Sequence, residues 1–129
     1  MHPVNFICVD WRKHTDRQES INEQKVLTIV CEDYNVSASD IFGKLRQREI
    51  MNARHAYRFI LRHLFNYSYH QIARALGNPE HSTQIHSLVR TQNILQTETY
   101  EYNKMYDTCC KIDYRFANRL HEIIFKNKA

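Results

Sequence analysis

Two glycines, Gly43 and Gly77, and two prolines, Pro3 and Pro79, are the only chain-breaking residues in 129 positions. Ordinary proteins carry about 7% Gly and 5% Pro. A β-sandwich or barrel needs turn signals roughly every 8–12 residues, which this chain cannot supply. The expectation is therefore an all-α protein. The same scarcity excludes a class of chemistry, because the P-loop and the dinucleotide fingerprint both require clustered glycines. No bound nucleotide is expected. The length fits one domain, and 43% hydrophobic residues suffice for a packed core.

The periodicity predicts about six helices. Ser20-Ile21-Asn22-Glu23 reads as a capping box opening a helix to about Asp33, with Val26, Leu27, Val30 and Cys31 available for burial and Asn35 suited to a left-handed stop. Ser37 would cap a short helix at roughly 38–42, ended by Gly43. The clearest stripe, Ile50, Ala53, Tyr57, Ile60, Leu61 and Leu64, predicts a long helix from about Glu49 to Asn66. Arg54, Arg58 and Arg62 follow at four-residue spacing and line its flank, where a phosphate backbone would relieve their mutual repulsion. Ser68-Tyr69-His70-Gln71 is a second capping box, opening a helix that buries Ile72, Ala73 and Leu76. Gly77 stops it, Asn78-Pro79 continues the turn, and a further helix begins near His81 with Ile85, Leu88 and Val89 inward. This pair reads as a helix-turn-helix. Thr91 to about Thr99 extends the same helix, and Tyr102, Met105, Tyr106, Cys109, Phe116, Leu120 and Ile123 form one more stripe. Residues 1–19, with Phe6 and Trp11, read as a partly ordered arm, and the tail from Lys126 as frayed.

The net charge of +4 is unevenly placed. Residues 44–63 hold Lys44, Arg46, Arg48, Arg54, Arg58 and Arg62 against Glu49 alone, a net +5, so the rest of the chain is slightly acidic. Such localisation points to an anionic partner. No segment reaches the roughly 18 apolar residues of a membrane span, and Phe6-Ile7-Cys8-Val9 is too short for a signal-peptide core. The expected location is cytoplasmic, associated with the nucleoid, with no membrane partner. Cys8, Cys31, Cys109 and Cys110 then read as reduced thiols. They lack C-x-x-C spacing. A zinc set from Cys109, Cys110 and His121 is outweighed by a half-buried helix face, so neither metal nor other cofactor is expected.

The stretch from Ile29-Val30-Cys31-Glu32-Asp33-Tyr34-Asn35-Val36-Ser37 through Arg90 resembles the C-terminal DNA-binding domain of the bacterial chromosomal replication initiator DnaA. Three blocks carry the likeness: a helix ending in Tyr-Asn-Val-Ser; the basic segment Lys44-Leu45-Arg46-Gln47-Arg48-Glu49-Ile50-Met51-Asn52-Ala53-Arg54-His55; and Gly77-Asn78-Pro79-Glu80-His81-Ser82-Thr83-Gln84-Ile85-His86, against a family signature Gly-Gly-Arg-Asp-His-Thr-Thr-Val-Leu-His. The resemblance implies a Trp-repressor-like helix-turn-helix bundle that binds duplex DNA in two grooves. It implies that Glu80, His81, Ser82 and Thr83 open the recognition helix in the major groove, with His81 and Ser82 at base edges and Thr83 and His86 at phosphate. Arg46 would enter the minor groove with Lys44 and Arg48 in the same loop. Arg54 and His55 would approach phosphate or sugar, and Arg62, Tyr69, His70 and Arg90 would position the backbone. A narrow A·T-rich minor groove attracts arginine, and a helix start offers free N–H groups to phosphate.

Several positions depart from the family pattern. Glu80 replaces Asp, Asn78 and Pro79 replace Gly and Arg, Leu45 replaces a basic residue, and Asn52-Ala53 replaces Arg-Pro. His55 and His70 stand where Gln and Pro are usual. These departures bear on the target sequence more than on the binding mode. The initiator's ATPase module has no counterpart here, so the expectation is a freestanding relative of the DNA-binding domain that regulates replication initiation or transcription and is not an enzyme. The expected division is an arm over 1–19, the DNA-binding domain over 20–110, and a helical extension over 111–129. The alternative is a protein-interaction module in which the C-terminal helix forms a homodimer or binds a replication protein. Catalysis is disfavoured because the eight histidines form no H-x-x-x-H with an intervening Glu and no Cys-His or Ser-His pair with supporting context.

Overall fold

The computed structural model describes residues 21–77 and 80–126. The expectations for the N-terminal arm, the Asn78-Pro79 turn and the extreme tail fall outside them, and the cap expected at Ser20 is displaced to Asn22. Among the described residues there are seven helices and no strand: α1 Glu23–Tyr34, α2 Ala38–Phe42, α3 Arg48–Leu64, α4 Tyr69–Leu76, α5 His81–Thr97, α6 Thr99–Ile112 and α7 Tyr114–Phe125.

Local chemistry explains the boundaries. The N-cap of α1 is Asn22, whose side chain accepts from the Lys25 amide at 2.9 Å. Asn35 closes α1 in the left-handed conformation at φ 57°, a geometry Asn tolerates better than most residues. Ser37 with Asp40, and Ser68 with Gln71, form reciprocal capping boxes. Gly77 ends α4 at φ 67°, a conformation that other side chains resist. The long helix ends two residues earlier than predicted, since Asn66 turns left-handed at φ 60°. The seventh helix arises because Asp113 interrupts the last stripe. Its backbone is extended, and its carboxylate accepts from the Arg115 amide at 3.1 Å, opening α7.

Helix α3 lies at the centre, packed by α1, α2, α4 and α5, while α6 and α7 close the far side against α1 and α5. Phe59, Ile60 and Leu61 are all fully buried, so the middle of α3 is enclosed on every face. The C-terminal stripe joins the same core: Phe116, Leu120 and Ile124 have no exposed surface. The apolar face of the last helix is therefore turned into its own domain. Cys109 and Cys110 are completely buried rather than half-buried. Cys31 and Cys109 are free thiols. No helix among the described residues is long and apolar enough to cross a membrane.

One face differs from the expectation. On α5, Ile85 and Leu88 are only half-buried and Val89 is exposed. The inward residues are Gln84, Ser87, Thr91 and Leu95. Apolar spacing identifies a face only where the neighbour is apolar, and here the neighbour is an arginine of α3.

Candidate nucleic-acid interface

A groove of about 1140 Å³ runs between the loop that joins α2 to α3 and the outer face of α5. The loop contributes Gly43, Lys44 and Arg46, and α3 contributes Arg48, Met51, Asn52, Arg54, His55 and Arg58. From α5 come Thr83, His86, Ser87, Arg90 and Ile94. Eight of the fourteen residues expected at a DNA interface thus line one concavity: Lys44, Arg46, Arg48, Arg54, His55, Thr83, His86 and Arg90. Lys44, Arg46, Arg48, His86 and Arg90 are exposed.

Of the other six, four form a second cluster where α4 meets the start of α5. The guanidinium of Arg62 lies 4.5 Å from the centre of the Tyr69 ring. The Tyr69 ring meets His81 edge-on at 5.4 Å, and His70 stacks on His81 at 4.6 Å. Glu80 and Ser82 are exposed beside them. The N-cap of α5 is Glu80, although its side chain does not cap the helix. His81, Ser82 and Thr83 are thereby the first three helical residues, so neither His81 nor the two hydroxyl residues occupies the cap position.

The arginine row on α3 behaves differently from a solvated flank. Arg54 is 6% exposed and Arg58 is 4% exposed. Arg54 donates through Nε to the Ile41 carbonyl at 3.1 Å and through one terminal nitrogen to the carbonyls of Asp40 and Gly43, each at 2.8 Å. These carbonyls lie at the C-terminus of α2, where a cation is also favoured by the helix dipole, and that of Asp40 accepts from the Gly43 amide as well. Arg62 donates to the Tyr67 carbonyl at 2.8 Å. Burial, helped by Arg46, lowers the Arg54 pKa, with Asp40 opposing. Burial and the neighbouring Arg54 push Arg58 down to about 10, so it stays charged at neutral pH. Arg54 and Arg58 thus spend guanidinium donors on protein acceptors, whereas Arg62 gives one to a carbonyl and lies over the Tyr69 ring. The open cations are those of the loop, the start of α3, and Arg90.

His55 is half-buried, and its Nδ1 lies 2.5 Å from the Ser87 hydroxyl. Burial, then the cations Arg58, Arg90 and Arg54, push its pKa down to about 4. Burial and Arg62 lower His63 to about 4 as well. Both folded values lie below the ordinary 6.5, so the unfolded chain binds these protons first. The stability that depends on neutral rings is complete above about pH 6.5 and is lost as pH falls towards 4. The melting temperature should accordingly drop between pH 6.5 and pH 4.5. A flat profile over that window would contradict the buried, neutral state of both rings.

Sequence reasoning missed the acidic end of the groove, formed by Glu98 and Glu101. Glu98 lies past the end of α5 and Glu101 belongs to α6, so no single helical spacing links them to the groove. Sequence reasoning also missed Gln84 and Ser87, which carry no apolar signal. No group of three or more His, Cys, Asp or Glu side chains among the described residues is placed to hold a metal ion.

A family model described as the bacterial dnaA protein helix-turn-helix matches residues 24–90. The chain is similar to the chromosomal replication initiator protein DnaA of Oenococcus oeni, 32% identical over 85 residues, covering 61% of this chain and 19% of that protein. It is 27% identical over 84 residues to the protein of the same name from Mycoplasma capricolum, covering 65% and 19%. The match in Gloeobacter violaceus is 32% over 68 residues, covering 53% and 15%. The chain thus spans about a fifth or less of the length of these relatives.

Proposed function

Because the chain belongs to the bacterial DnaA helix-turn-helix family, we propose that it binds duplex DNA sequence-specifically, with the start of α5 in the major groove and the loop between α2 and α3 in the adjacent minor groove. The observation that carries this reading is the shared groove, in which exposed Lys44, Arg46 and Arg48 face Thr83, His86 and Arg90. Cations on one wall and a helix start on the other suit a phosphate backbone passing between two reading elements. His81 and Ser82 lie at base edges, Glu80 is near an exocyclic amine, and His55, Tyr69 and His70 flank the backbone. The relatives are named for chromosomal replication initiation, and the process proposed for this chain is regulation of replication initiation or of transcription from a bound site. The domain works without hydrolysing nucleotide, close to the nucleoid, and as a monomer on one asymmetric site.

Two replacements test the two-groove arrangement. Arg46→Ala should cost about 1–3 kcal/mol on the preferred duplex and relax preference on the minor-groove side. Arg90→Ala should weaken all duplexes alike and reduce the salt slope by about one counterion. Equal losses with unchanged preference in both variants would contradict the arrangement.

A further inference from the structure

We propose that Arg58, Gln84 and Ser87 are positioning residues that set the rotation and register of the recognition helix α5, and through it the discrimination between DNA sequences. The inference rests on the DNA-binding reading above. Arg58 reaches from the middle of α3, donating through Nε to Gln84 Oε1 at 2.9 Å and through a terminal nitrogen to Ser87 Oγ at 3.0 Å. Gln84 Nε2 in turn donates to the carbonyl of Glu80, the N-cap of α5, at 3.0 Å. Gln84 has no exposed surface and Ser87 is 4% exposed.

Ser87 Oγ accepts from Arg58 and also meets Nδ1 of His55, with the imidazole tautomer setting which of those two atoms donates. Thr91 Oγ1 donates to the Ser87 carbonyl at 2.8 Å, continuing the polar face along α5. Two helices that meet through aliphatic side chains can shift by fractions of an ångström at little cost. Directional bonds from a planar guanidinium resist rotation and axial sliding alike. Residues 84 and 87 face inward, whereas His81, Ser82, His86 and Arg90 on the same helix face out. Rotation of α5 would move every base-reading group together.

The test uses the full chain and two duplexes, one selected from a random pool and one scrambled to the same composition. Gln84→Val should reduce the ratio of the two affinities about tenfold, the scale of one lost base contact. Its affinity for the scrambled duplex and its salt slope should stay as in the parent, since no phosphate contact is removed. Gln84→Glu keeps an acceptor for Arg58 and should hold the ratio within about threefold. Ser87→Ala, which removes one bond and little volume, should give about a threefold loss and covers the case in which Gln84→Val fails to fold. In the free protein, amide exchange over 81–90 should quicken in Gln84→Val and not in Gln84→Glu. A discrimination ratio unchanged in Gln84→Val, or lost equally in Val and Glu, would overturn the proposal. If the parent fails to discriminate between duplexes, the DNA-binding reading fails, and unchanged exchange in Gln84→Val would independently remove the positioning role.

Discussion

Arg54→Ala is expected to destabilise the domain by about 3 kcal/mol in urea unfolding, with an unchanged dependence of DNA binding on salt. The cost follows from three lost hydrogen bonds to the carbonyls of Asp40, Ile41 and Gly43. Charge-assisted bonds contribute roughly 1.5–3 kcal/mol each before relaxation, and water repays part of the loss. Those carbonyls end α2 and begin the loop that carries Lys44, Arg46 and Arg48, so the variant should also loosen the loop and weaken the selected duplex more than a scrambled one. Arg54→Lys should rescue little, because one ammonium cannot reproduce the guanidinium fork. If instead the variant keeps its stability and its salt slope falls by about one, Arg54 is a phosphate contact.

Phe116→Ala should cost about 3–5 kcal/mol, the range for removing a large aromatic from a closed core. Phe116 has no exposed surface and lies in the cluster that includes Leu120, Ile124 and the centre of α3. The last helix also ties down α5 from behind. Gln96 donates to the Ile124 carbonyl at 2.9 Å, and Gln92 donates to the same carbonyl. A chain ending at Lys111 lacks all of these contacts and should not fold. A truncated chain that melts cooperatively near the parent temperature would show that α7 is an accessory. A mere change in sedimentation, with folding intact, would instead favour the alternative in which the last helix joins two copies.

Much of this architecture was legible in the residues, and the legible parts share a cause. Ser68 with Gln71, Asn35, and Gly77 act through their own neighbours in sequence, so their local chemistry reads directly. The stripe on α3 reads because burial there is apolar. What was not legible depends on partners distant in sequence. The four-residue spacing of Arg54, Arg58 and Arg62 places them on one flank but does not say whether that flank meets solvent or backbone carbonyls. The inward face of α5 was assigned to Ile85, Leu88 and Val89 because they are apolar, yet Arg58 on the opposing helix favours Gln84 and Ser87 there. The break at Asp113 was hidden by a stripe that continues in composition across two helices. At the candidate site, the loop cations and the outer residues of α5 were found through resemblance to a family, while Glu98, Glu101, Gln84 and Ser87 emerged only from packing.

Selection of bound duplexes from a random pool, followed by a salt titration of the winner, tests the central claim most directly. The expected outcome is one asymmetric site per protein, flanked by an A·T-rich step on the side of Arg46, with affinity falling steeply as salt rises through release of several counterions. A pool that emerges no different from its input, or a bound duplex whose affinity ignores salt, would contradict it.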